Sequence, residues 1–173
     1  MPASPEDSSD APIEPLEEEM VSNYPLHFQG PSPVSLPRMA HGVEPVGGVI
    51  RTTCEDFRVE ELPLYDFCGR GEHCFVTVTK INRTTLEMRE YIARTLNVKP
   101  VQVGYAGLKD KRAVTTQTFS IQGVKAEEVR QLESNFLHVE SVTYHKNKLR
   151  TGHLKGNRFN IKIRDVRPGA LEA

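Results

Sequence analysis

The chain has 173 residues, 38% hydrophobic and 26% charged, with a formal net charge of −1. This is the composition of one soluble globular domain, or of one domain with a tail. No apolar run approaches the roughly 18 residues of a membrane helix, and no basic-then-apolar signal opens the chain, which points to the cytosol, or to the nucleus of a cell that has one.

Residues 1–45 read as an unstructured acidic, proline-rich leader. Nine of the twelve prolines lie there, and residues 1–37 carry seven acids with no Lys or Arg. Such a segment buries too little apolar surface to offset its ordering entropy. The rest of the chain holds 22 basic against 16 acidic residues, a surplus that attracts polyanions through counterion release. From residue 46 the pattern becomes that of a folded domain. Gly47–Thr53 and Asp56–Leu62 read as extended segments. His73–Ile81 alternates, with Val76 and Val78 on one face and Thr77 and Thr79 on the other, as in a strand. Thr84 and Glu87 have capping-box spacing. Met88, Tyr91, Ile92, Thr95 and Leu96 then form a helical stripe, which Asn97 and Pro100 end.

Val101–Leu108 reads as a buried strand running into a turn at Gly107, and Thr115–Ile121 as another strand. Ala126, Val129, Leu132 and Phe136 have the spacing of a second amphipathic helix. Val139–Lys146 is strand-like. Arg158–Val166 alternates most cleanly, with Phe159, Ile161 and Ile163 opposite Asn160, Lys162 and Arg164. Strands outnumber helices and no glycine-rich phosphate loop follows a strand. The expected class is α+β, a mainly antiparallel mixed sheet with two amphipathic helices. Cys54, Cys68 and Cys74 are odd in number, and the set has no C-x-x-C pair. That spacing favours free thiols over disulfides or a metal site.

One string carries chemistry. In Tyr105–Thr116, YAGLKDKRAVTT, a strand ends at a glycine turn and Asp110 sits between Lys109 and Lys111, with Arg112 next. Flanking cations favour a carboxylate, which can act as nucleophile, base or ligand. By composition alone the string is also an ordinary charged turn. Phe57, which alternates with Val59, and Phe159, at the head of an apolar alternation, both read equally as core. Asn157 after Gly156 reads as turn chemistry.

Taken together, these segments resemble the TruD family of pseudouridine synthases. GLKDKRAVTTQ is similar to the family's signature around its catalytic aspartate. EDFRVEE (Glu55–Glu61), GEHCFVTVTK (Gly71–Lys80) and HKNKLRTGHLKGNRFNIKIRDV (His145–Val166) resemble further family segments, in family order, over roughly residues 47–167. The resemblance implies that Asp110 is the nucleophile and that Phe57 lines the uridine pocket. It also implies that Asn157 and Phe159 form an Asn-x-Phe pair beside the substrate, and that Lys109 and Gln117 lie close to the site. The implied chemistry uses no metal or organic cofactor. The substrate would be RNA, most often uridine 13 of tRNA. The base would be extruded into a pocket, and the carboxylate would attack the nucleoside or act as a base in glycosidic cleavage.

Residues 145–164 contain Lys146, Lys148, Arg150, Lys155 and Arg158 with no acid. Such a run is a solvated face or, beside an active site, a set of phosphate contacts. Relatives in this family continue beyond the Asn-x-Phe strand, with a motif containing Phe-Gly. Residues 46–173 therefore read as the N-terminal portion of a catalytic domain, truncated at Ala173. The alternatives are a silent RNA-binding module, or a half that works with a complementary polypeptide.

Overall fold

A computed structural model of the chain describes residues 45–169. The expected leader, all but its last residue, lies outside the described residues. Eight strands and one α-helix follow in order: β1 (Gly47–Val49), β2 (Phe57–Pro63), β3 (His73–Ile81), α1 (Thr85–Thr95), β4 (Val103–Tyr105), β5 (Val114–Gln122), β6 (Leu137–His145), β7 (Leu154–Ile161) and β8 (Arg164–Val166). The class is α+β, as the strand-rich pattern predicts. The main sheet has the order β6-β3-β5-β2-β7, and β4 pairs with the far half of β5. Its pairings are antiparallel except β2 with β5, which are parallel. The remaining strands, β1 and β8, form a two-stranded ribbon.

Helix α1 forms where the capping box predicts. The Glu87 backbone N–H donates to Thr84 Oγ1 at 3.1 Å, and the Thr84 N–H donates to the Glu87 carboxylate at 2.5 Å. These contacts satisfy two of the donors that a helix start leaves free. Met88 and Ile92 carry the stripe into the core, against Cys74, Val76 and Val78 of β3 and Phe119 and Ile121 of β5. Asn97, with φ of 51°, turns the chain away from the helix axis.

The second amphipathic helix is not formed. Of 126–136 only Glu128–Leu132 coils, as a 3-10 helix without a side-chain cap. Val129 and Leu132 are three apart and therefore eclipse in a threefold helix. One and a half turns bury both completely. The Ala126 N–H goes to Tyr144 Oη at 2.9 Å, and the Leu132 carbonyl accepts from Tyr91 Oη at 3.2 Å. The Leu132 carbonyl, which an α-helix over 126–136 would pair with the Phe136 N–H, is thus satisfied by a tertiary contact, as is the Ala126 N–H, which a helix start leaves free.

The expected strand at 158–166 is also redrawn. It starts earlier, at Leu154, and breaks after Ile161, where the Lys162 N–H donates to the Asp56 carbonyl at 2.8 Å. The chain then joins the small ribbon as β8. The alternation of Phe159, Ile161 and Ile163 is real, yet all three side chains stand exposed, Phe159 at 53%.

Candidate active site

Pairing register decides which side chains share a face. Opposed residues in a sheet point the same way. Phe57 opposes Ile161, Val59 opposes both Phe159 and Thr115, and Glu61 opposes Asn157. Across the sheet, Gln117 opposes Val78 and Thr115 opposes Lys80. One face, the face covered in part by α1, thus gathers Phe57, Phe159, Asn157, Gln117, Glu61 and Lys80.

The loop 106–113 crosses this face. It leaves β4 at Tyr105, opposite Phe119, and enters β5 at Val114. Along that edge of β5, β2 pairs only with Val114–Thr116 and β4 only with Phe119–Ile121. Glu61 fills the gap between them. Its carboxylate accepts the Thr118 N–H at 3.3 Å and holds Lys109 Nζ at 2.6 Å, with both side chains nearly out of solvent. A buried pair of this kind is far more costly to break than to omit.

Further bonds immobilise the loop. Gln117, fully buried, donates from Nε2 to the Gly107 carbonyl at 2.6 Å and accepts from Thr85 Oγ1 at 3.0 Å. Thr85 Oγ1 in turn accepts the Lys109 N–H at 2.9 Å. Lys111 reaches Glu87 of the helix start at 3.2 Å, and Arg112 donates to the Thr52 carbonyl at 3.2 Å. Each cation in Lys109-Asp110-Lys111-Arg112 therefore anchors the loop to a different element. Lys109 and Gln117 are committed to partners inside the protein.

Asp110 remains half-exposed at the apex. Its Oδ1 lies 2.7 Å from Arg51 Nη2. The same guanidinium sits over the ring of Phe57, 3.8 Å from its centroid, a close cation–π geometry. The Phe57 ring meets Phe159 edge-on at 6.0 Å. Asp110, Arg51, Phe57 and Phe159 are thus linked in one line of contacts. Asn157 lies exposed on the same face and makes no side-chain hydrogen bond to Asp110. Arg51 has a left-handed backbone, φ 60°, a conformation that costs a residue with a side chain about 1–2 kcal/mol.

Beneath the loop lies Lys80, almost without solvent exposure, donating to the Arg83 carbonyl at 2.6 Å. Burial, reinforced by the Lys109 ammonium, pushes its pKa down to about 8 against the pull of Glu87 and Asp110. A lysine partly neutral near physiological pH is therefore built under the aspartate.

Sequence reasoning did not single out Arg51, Glu61, Lys80 or Thr85. Two of them carry a readable signal: Glu61 follows Phe57 and Val59, and Lys80 follows Val76 and Val78, each in phase on an apolar face. A charge at such a position needs a buried partner. Nothing local marks Arg51.

The basic residues divide between faces. Lys155 alternates with Asn157 and shares its side. Arg158 points to the opposite face, where it pairs with Glu60 at 2.7 Å. The segment carrying Lys146, Lys148 and Arg150 also crosses the opposite face, where Leu149 packs on Phe75 and Ala106. That face bears the hydroxyl pairs Thr77–Thr118 and Thr79–Thr116.

Comparison with known proteins places this fold in a family. Over 124 residues, 72% of its length, the chain is 51% identical to a tRNA pseudouridine synthase D of Geobacter sp. (strain M21). It is 46% identical over 143 residues, 82% of its length, to that of Thermus thermophilus. These stretches cover 31% and 40% of the relatives, so the chain spans about a third of their length. A crystal structure from Methanosarcina mazei, assigned to tRNA pseudouridine synthase D, superposes with a TM-score of 0.68 at 30% identity, covering 70% of this chain and 28% of that one. The sequence model of the family tRNA pseudouridine synthase D (TruD) matches residues 36–173, which takes in the sheet, α1 and the Asp110 loop alike, and the chain belongs to that family.

Proposed function

We propose that the chain supplies the catalytic aspartate face of an enzyme that isomerises uridine to pseudouridine in tRNA, with uridine 13 as the target. The observation that carries this reading is the Asp110 carboxylate. It is held at the tip of a loop bolted from beneath and joined through Arg51 to an aromatic ring on an open face.

In this reaction the glycosidic bond between uracil N1 and ribose C1′ breaks, the base turns, C5 bonds to C1′, and the proton lost from C5 is balanced by one taken up at N1. No electrons are gained or lost. Asp110 attacks as the nucleophile and then leaves. Arg51 orients the carboxylate. Phe57 stacks the extruded uracil. The Arg51 guanidinium now occupies that ring face, so the entering base takes its place. Phe159 closes the pocket edge, and Asn157 offers an amide to the base. Lys109 and Gln117 act by holding the loop. Lys155, on the same side, contacts the RNA backbone, as do Lys146, Lys148, Arg150 and Arg158 elsewhere on the surface.

The test is single-turnover release of tritium from tRNA labelled at uracil C5. Asp110→Asn and Asp110→Ala should abolish release while tRNA binding persists. Undiminished release in either variant removes Asp110 from the nucleophile role.

A second reading concerns the β7 edge. Phe159, Ile161 and Ile163 expose a strip along β7 and beyond it, and an uncovered strand edge invites pairing. This favours a chain that works with a further polypeptide covering that edge. Turnover that appears only when such a polypeptide is added supports it, and turnover by the chain alone refutes it.

A further inference from the structure

On the face of the sheet opposite α1, His73, Lys146, Asn147, Lys148, Arg150 and His153 line a cleft of about 460 Å³. No acid lines it. The segment that brings these residues in is pressed onto the sheet by backbone contact. A Cβ at Gly104 would fall 2.3 Å from the Leu149 carbonyl oxygen, and one at Gly71 would fall 2.4 Å from that of His145. The Leu149 N–H donates to Ser120 Oγ at 2.9 Å, and the Leu149 side chain is buried. With the backbone and Leu149 turned inward, Lys146 and Arg150 are left exposed at the rim. Lys148 donates to the Val101 carbonyl, which fixes its ammonium.

A buried polar atom beside these cations lacks a partner. His73 is 8% exposed, and its Nδ1 is buried without a hydrogen-bond partner. Burial, aided by Lys148 and His145 and opposed by the Glu72 carboxylate, disfavours a proton on that ring. His153 is itself held: the Tyr65 hydroxyl meets its Nδ1 at 3.1 Å, and Tyr65 stacks on His145 at 5.2 Å.

We propose that this cleft is a second anion site, taking a phosphodiester of the RNA substrate on the side of the sheet away from Asp110. The proposal rests on the pseudouridine synthase reading for the identity of the ligand. It also reaches the catalytic loop. The turn from Arg150 to His153 closes the cleft, and its Gly152 N–H donates to the Ala106 carbonyl at 2.8 Å. The next carbonyl, Gly107, is held from the other face by Gln117. Adjacent peptide groups of the Asp110 loop are therefore gripped from both sides of the sheet. Filling the cleft braces the turn that braces the loop.

The test measures binding of a fluorescein-labelled oligouridylate to the 173-residue chain by anisotropy across a sodium chloride series. Wild type is compared with Lys146→Ala/Arg150→Ala and with Lys125→Ala, an exposed lysine elsewhere. Each single-stranded phosphate contact contributes about 0.7 to the slope of log K against log salt. The double variant should therefore lose about 1.4 from the slope, and Lys125→Ala should lose none. An unchanged slope in the double variant, or an equal loss in Lys125→Ala, overturns the proposal.

Titration with inorganic phosphate separates the two sources of the same chemistry. Displacement of the oligonucleotide only at high millimolar phosphate supports the phosphodiester. Ring resonances of His73 and His153 that respond to micromolar phosphate, with an RNA slope that ignores the cleft, overturn it in favour of a free-phosphate site. The Asp110→Asn chain should keep the wild-type slope. A lost slope in the double variant together with undiminished turnover in Asp110→Asn would sink the catalytic reading and leave this site standing.

Discussion

The pair Lys109–Glu61 offers the sharpest test of how the loop is held. Its atoms lie 2.6 Å apart, with side chains 2% and 3% exposed. Removing one partner of such a pair leaves an uncompensated buried charge, at about 3–5 kcal/mol. Domains of this size are stable by only about 5–15 kcal/mol, so a single substitution takes a large share. The surroundings set the order of the variants. Glu61→Gln keeps an acceptor for the Thr118 N–H but leaves Lys109 beside the equally buried Lys80, two cations without their carboxylate. Lys109→Met leaves one carboxylate, whose Oε1 still accepts the Thr118 N–H. Glu61→Gln should therefore be the more damaging. The double variant, with no ionised member of the pair, should be destabilised by clearly less than the sum, with a coupling of several kcal/mol. Urea unfolding at pH 7, followed by far-ultraviolet circular dichroism, measures all four chains. The coupling should survive 1 M salt, because a buried pair is little screened. Single losses below about 1 kcal/mol, or losses that simply add, would show that the pair is solvated and that Glu61 does not wedge the loop.

Other expectations follow from the same contacts. Lys80 has a pKa of about 8 when folded against an ordinary value of 10.5. Between those values the unfolded chain binds more protons, so stability should rise with pH across that window. Lys80→Met should remove the rise, and an identical pH profile for the two chains would contradict the burial of a charge there. Thr84→Ala should cost about 1 kcal/mol by uncapping α1. Because Lys111 also bonds Glu87, it should speed amide exchange in the Asp110 loop as well. Cys68 is exposed, and backbone hydrogen bonding at Arg70 lowers its pKa, while burial pushes Cys74 up to about 11. A disulfide reagent at pH 7.5 should therefore modify Cys68 quickly and Cys74 only on unfolding, and equal rates would refute the burial of Cys74.

Much of the architecture was legible because it depends on near neighbours. The capping box joins residues three apart, and the alternation in His73–Ile81 states which side chains share a face. The Asp110 string was legible as a motif because its four charged residues are consecutive. The second helix was misread because apolar spacing of three or four serves a 3-10 turn as well as an α-helix. Which one forms depends on Tyr91 and Tyr144 taking up backbone groups from elsewhere in the chain.

By itself, then, the sequence of this protein determined where α1 and most of its strands lie, which carboxylate stands in a turn among cations, and that a basic run follows. Only the tertiary structure decided what those charges do. Arg51 reaches Asp110 across 59 positions and Glu61 reaches Lys109 across 48, through a register in which β2 runs parallel to β5 and stops after three pairs. The basic run is likewise split by the sheet, Lys155 to one side and the His73 cleft to the other. Pairing register is set by the whole sheet, and a shift of one residue would turn every one of these side chains to the opposite face.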